Sequence, residues 1–167
     1  MNKVIEIIKK RRSIRSYSEK TIGTAELLKM ADAGRYAPTA RNDQPWEFVI
    51  VKDREKLRRI ADITDYGKFI SGAAALIGVF SKDTKYYLED CSAATQNIML
   101  AATSMGIGSC WVAGDKKPYC EELRKLLKVP SKYKLVSLIS LGYPKNKKSF
   151  RSIAKRPLNG ICHFEKF

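Results

Sequence analysis

Residues able to bind and orient a ligand gather in three short segments of the sequence. Arg11-Arg12-Ser13-Ile14-Arg15 sets three guanidiniums and a hydroxyl side by side. Such a group forms charge-assisted, bidentate bonds to phosphate oxygens or to a polarised carbonyl, although a solvated basic helix end has the same composition. The second segment runs Ala37-Pro38-Thr39-Ala40-Arg41-Asn42-Asp43-Gln44-Pro45-Trp46-Glu47-Phe48. Asn42 and Gln44 each carry a donor and an acceptor, which suits the edge of a planar heterocycle; the plainer alternative is a turn leading into a core tryptophan. The third is Gly106-Ile107-Gly108-Ser109-Cys110-Trp111-Val112-Ala113-Gly114, where small residues let backbone N–H groups come close to a ligand.

Other chemistries are excluded by spacing. Trp111 stands where a dinucleotide-binding GxGxxG would need glycine, and no GxxxxGK[ST] occurs. Cys91, Cys110, Cys120 and Cys162 form neither a CxxC pair nor a zinc-ribbon pattern, so four reduced thiols and no metal are expected. His163 is the only histidine, close to the end of the chain, and reads as an ordinary tail residue. The net charge of +15 is an electrostatic footprint that a nucleic-acid-binding module would share, but no helix-turn-helix, zinc-finger or RNP aromatic pattern accompanies it.

The elements that must position these segments follow from periodicity. Val4, Ile7 and Ile8 share one face of a helix over 2–12, ending in Lys9-Lys10-Arg11-Arg12. A second helix starts near Thr24 and is expected to stop at Gly34 as its C′ residue. Glu47–Val51 reads as a strand, and Asp53 caps a helix carrying Leu57, Ile60 and Ala61. Ala73–Phe80 is a second strand. Leu88, Cys91, Thr95, Ile98, Ala102 and Met105 then recur at helical spacing in a helix uncharged after Asp90, which must be covered on all sides. Ser109–Ala113 is a third strand, Pro118 opens a helix with Leu123, Leu126 and Leu127 inside, and Leu135–Leu141 is the fourth strand. With 167 residues the chain suffices for one ordinary domain, 1–167, with helices flanking a small sheet in three layers. No stretch is apolar for long enough to span a membrane and the start does not read as a signal or transit peptide, so the cytoplasm is the default location. After Gly142 a basic, loop-like arm ends in Ile161-Cys162-His163-Phe164 and Phe167, apolar residues suited to packing on a second subunit.

Taken in order, RRSIR, PTxxNxQPW, AATQNIMLAATSMGIGSCW, SLISLGYP and a closing basic-proline segment resemble the FMN-dependent nitroreductase and NADH oxidase family over residues 11–157. The resemblance implies an α+β fold of three layers, with a small, mostly antiparallel central sheet and a C-terminal arm that extends onto the partner subunit. It implies a homodimer with tightly bound FMN at the interface. Arg11, Arg12 and Ser13 would hold the phosphate and ribityl chain, and Arg15 the pyrimidine carbonyl and N1, where a reduced flavin concentrates charge. Pro38, Thr39, Ala40 and Asn42 would come from the other subunit, with Gln44 bracing their loop. Amides of Ala113 and Gly114 would approach flavin N5, and Lys155 and Arg156 would clamp the phosphate.

No side chain need act as a nucleophile, because the flavin performs the chemistry. NAD(P)H, a transient co-substrate, would give hydride to N5 and leave before a nitroaromatic, quinone or similar acceptor enters, a ping-pong sequence. Deiodinase-like, flavin-fragmenting and dehydrogenase chemistries belong to the same family. The segment between Val51 and Ala73 is short for it, with only Asp65 and Lys68 to stand for the asparagine and lysine that other members supply there.

Overall fold

The computed structural model describes residues 2–151 and 153–167. Four antiparallel strands, β1 (Trp46–Val51), β2 (Ala75–Lys82), β3 (Gly108–Ala113) and β4 (Tyr133–Gly142), form one sheet in the order β1-β2-β4-β3. Five helices surround it: α1 (Lys3–Lys10), α2 (Thr24–Arg35), α3 (Arg54–Ile63), α4 (Tyr87–Ser104) and α5 (Cys120–Leu126). Side chains alternate across each strand, so the sheet separates two cores. Ala75, Ile77, Val79, Ile139 and Leu141 pack with Leu27 and Met30 of α2 and Ile98 of α4. Leu76, Phe80, Leu135 and Leu138 pack on the opposite face with Leu57 and Ile60 of α3 and Leu123 of α5. The three expected layers are present, and β3 is left as an edge strand.

The β2–β4 pairing breaks once. Val79 pairs with Ser137 and Phe80 with Leu135, so Val136 is an extra residue on β4. This β-bulge lies beside the exit of β3, and the Val136 carbonyl accepts from both Gly114 N and Asp115 N at 3.1 Å.

Several boundaries differ from expectation for local reasons. Helix α1 ends at Lys10, with Arg11 as its C-cap, so the arginine cluster lies on extended chain beyond it. Gly34 is no C′ residue: it is buried inside α2, where a Cβ would stand 2.8 Å from the Ile98 side chain, and so it permits the close approach of α2 to α4. Pro118 precedes α5, whose N-cap is Tyr119, and Leu126 and Leu127 are only half-buried while Leu123 is fully enclosed.

Helix α4 buries Cys91, Ala94, Thr95, Ile98, Met99 and Ala102. Its other side, with Gln96, Asn97, Leu100 and Ala101, is only partly covered within one chain. From Arg151 onward every described residue is exposed. Among the described residues no helix is long and apolar enough to cross a membrane, and no group of His, Cys, Asp or Glu could hold a metal.

Candidate functional site

The arginine segment is fastened to the open edge of β3. Ser13 and Ser109 form a parallel bridge, with Ile14 N donating to Ser109 O at 2.9 Å. Ile14 is buried, and Gly108 exists for it: a Cβ there would lie 2.8 Å from that of Ile14. The Tyr17 hydroxyl donates to Ile14 O at 2.6 Å and meets Ser140 Oγ at 2.7 Å. Burial raises the Tyr17 pKa, which keeps that donor protonated. With Ile14 turned inward, Ser13 and Arg15 face out.

The three arginines do different things. Arg12 donates from Nε to Arg151 O at 2.8 Å and from Nη1 to Lys9 O at 2.8 Å and Arg11 O at 2.6 Å. It therefore caps the end of α1 and ties down the start of the terminal arm, a bracing role that the sequence reading, with Arg12 as a phosphate ligand, missed. Arg11 and Arg15 make no hydrogen bond to protein carbonyls or carboxylates among the described residues. Both act on Cys110, whose pKa is raised by burial and drawn back by the charges of Arg15 and Arg11 and by hydrogen bonding to Ser13 and Arg15. The arginines, Ser13 and β3 thus converge on one spot.

There lies a cavity of about 190 Å³, lined by Arg15, Tyr66, Phe69, Cys110, Trp111, Val112, Ala113, Lys117 and Tyr119. The Arg15 guanidinium sits 5.7 Å from the Phe69 ring centre, and Trp111 is partly exposed in the wall. Its floor is the edge of β3. Pairing of Gly114 N with Val136 O, and of Cys110 opposite Ser140, turns residues 110, 112 and 114 toward β4 and leaves the peptide groups of Ser109, Trp111 and Ala113 facing outward. The Ala113 amide is consequently open to a ligand. The Gly114 amide is not, which corrects the sequence reading: it is spent on β4, and a Cβ at Gly114 would press to 2.9 Å from the Val136 backbone. Gly114 serves packing at the bulge.

The 38–44 loop is built by a different contact. Asp90, buried at the start of α4, accepts from Thr39 Oγ1 at 2.7 Å and from Ala40 N at 3.3 Å. Thr39 Oγ1 in turn accepts from Gln44 N at 3.1 Å. Arg41, Asn42 and Gln44 all have positive φ, a conformation rare outside glycine that persists only when surrounding contacts impose it. Pro38, Asn42 and Gln44 are exposed, and none of the loop lines the cavity of its own chain.

Asp65 and Lys68 do not line the cavity either. Asp65 pairs with Lys117 at 3.8 Å, and Lys68 Nζ donates to Asp62 O at 2.8 Å. Their short segment contributes Tyr66 and Phe69 instead. Lys155 and Arg156 are exposed, with Arg156 donating to Gly160 O at 2.7 Å, and neither bonds to the Arg11–Arg15 segment. Tyr119, which lines the cavity, carried no signal in the sequence beyond its place near a helix start.

The chain is an α+β protein with a small antiparallel sheet between helical layers, and basic residues meet an open strand edge at one cavity. The comparisons make that class specific. Residues 8–75 and 70–143 match the Nitroreductase family. A relative from Archaeoglobus fulgidus, named as a candidate NADH dehydrogenase/NAD(P)H nitroreductase, is 38% identical over the whole of both chains. An FMN-dependent nitroreductase from Clostridium difficile superposes with a TM-score of 0.88 at 31% identity, covering 98% of this chain and 99% of its own. A nitroreductase from Desulfovibrio desulfuricans, solved in complex with FMN, superposes with a TM-score of 0.83 at 27% identity over 100% and 99%. The chain belongs to the nitroreductase family.

Proposed function

We propose that this protein is an FMN-dependent oxidoreductase that uses NAD(P)H to reduce a nitroaromatic, a quinone or a similar acceptor. The observation that carries the reading is the open edge of β3, with the Ala113 amide uncommitted, facing a cavity flanked by Ser13 and Arg15. The fit is supported by Ser109, whose buried Oγ has no partner among the described residues and which adjoins Ser13. When bound, FMN would supply the redox chemistry, hydride exchange with NAD(P)H and with the acceptor.

The chain's own residues bind and orient. Arg11 and Ser13 offer donors for a phosphate and a polyol chain, and Arg15 sets a fixed cation where negative charge develops on reduction. Phe69 and Trp111 give apolar surface for one side of a planar ring to pack on, with the exposed Tyr66 at the rim. The family resemblance assigns Pro38, Thr39, Ala40 and Asn42 to a second subunit's site in a homodimer, and their absence from the cavity of their own chain supports that assignment. Lys155 and Arg156, on the exposed arm, belong to the same completed site.

Purification and half-reactions test this directly. The protein should be isolated yellow, release FMN on denaturation, and lose its visible flavin absorbance on anaerobic addition of NADH or NADPH. A colourless protein that binds no added FMN would overturn the reading.

A further inference from the structure

We propose that Tyr119 is a positioning residue that masks the Ala113 carbonyl, turning the cavity edge of β3 into a row of donors that holds bound flavin at a lower reduction potential. The inference rests on the FMN-binding reading above and goes beyond it.

An open strand edge ordinarily offers donors and acceptors in alternation. Here each outward carbonyl has an internal donor. Ser109 O accepts from Ile14 N at 2.9 Å, Trp111 O lies 3.7 Å from Cys110 Sγ, and Ala113 O accepts from the Tyr119 hydroxyl at 2.5 Å. The Trp111 and Ala113 amides, on the same edge, have no acceptor among the described residues.

The mask at Ala113 is built to last. Tyr119 is the N-cap residue of α5 and almost wholly buried, and burial raises its pKa, so the phenol remains a donor near neutrality. The next residue, Cys120, donates its thiol to Gly114 O. Two consecutive side chains at the start of α5 thus fix two consecutive carbonyls at the exit of β3.

The consequence is a choice between redox forms. A donor-only edge complements the acceptor atoms of an oxidised isoalloxazine; the reduced ring carries an additional N–H at N5, for which the masked carbonyl is no partner. Removing the phenol hydroxyl frees that carbonyl to accept and favours the reduced form.

The test uses holoprotein carrying Tyr119→Phe, which keeps the ring and its packing. We expect the ratio of oxidised to reduced FMN dissociation constants to rise threefold to tenfold, which raises the two-electron potential by about 15–30 mV. Tyr119→Met, which also lacks the hydroxyl, should move the potential in the same direction and secures the result if Phe perturbs folding. A merely structural role would lower thermal stability and weaken both redox forms equally. An unchanged or lowered potential in variants that still bind FMN overturns this inference and leaves the functional reading standing, whereas a wild-type protein that binds no FMN overturns both.

Discussion

Arg15 joins two properties seldom found together in this chain: its guanidinium is uncommitted to protein carbonyls, and it lies in the cavity wall against Phe69. On the proposed function, one cation there serves both to bind the cofactor and to stabilise the charge of its reduced form. Arg15→Ala should therefore weaken FMN binding by roughly tenfold to a hundredfold, the loss of one charge-assisted bond, and slow flavin reduction in parallel. Fluorescence titration of the apoprotein and stopped-flow reduction measure the two effects, and wild-type values in both would remove Arg15 from the site. Arg12→Ala should act differently. Its Nε and Nη1 are spent on Lys9, Arg11 and Arg151 carbonyls, so its absence frays the end of α1 and releases the arm, effects seen in hydrogen exchange at those segments. The sequence shows three arginines in a row of five residues and cannot divide them, because the division depends on where α1 stops and which carbonyls lie within reach.

Between elements, the contact that matters most was invisible in the sequence. Asp90 reads as the last charge before an uncharged helix, yet it is the acceptor that shapes the 38–44 loop through Thr39 and Ala40 across fifty positions of chain. Asp90→Ala should cost about 1–3 kcal/mol, because it leaves two half-buried donors without their acceptor while three loop residues stay in strained backbone conformations. Calorimetry should show the midpoint fall by several degrees, and an unchanged midpoint would mean the loop holds itself. The helices and strands themselves were legible, since each carries a clear period of apolar residues, as in Leu57-Ile60-Ala61 or Leu135–Leu141. Tertiary packing was not. Gly34, Gly108 and Gly114 resemble a turn residue and a ligand-approach motif in the sequence, whereas each answers to a neighbour, Ile98, Ile14 or Val136, that only the fold supplies. The β3–β4 register, which turns the Ala113 amide outward and spends the Gly114 amide on Val136 O, has no sequence signature at all.

At the scale of the whole molecule, the proposal that a second subunit completes the site bears on both kinetics and assembly. If the 38–44 loop of a second subunit covers one face of the flavin, a single face remains for NAD(P)H and for the acceptor, and hydride transfer requires near-contact stacking of each in turn. Double-reciprocal plots should give parallel lines, with competitive inhibition of NAD(P)H at high acceptor; intersecting lines would reveal a ternary complex and a larger site. Assembly follows from exposed apolar surface. Val4, Ile5 and Ile8 on α1 are 61, 46 and 49% exposed, and Phe164 and Phe167 on the arm have almost no cover. Beside α1, a groove of about 350 Å³ is lined by Val4, Ile7, Ala33, Tyr36, Asn97, Leu100, Ala101 and Ser104, which joins the half-covered face of α4 to the same surface. A small chain leaves such area in water only at a large hydrophobic cost, and obligate dimers remove it by burying more than ~2,000 Å². The protein should sediment as a homodimer at low micromolar concentration, and deleting residues 151–167 should shift it toward monomer with loss of FMN. The two effects should appear together, because the arm proposed to secure the interface also carries Lys155 and Arg156. A stable monomer that retains FMN would separate assembly from cofactor binding and place the whole site within one chain.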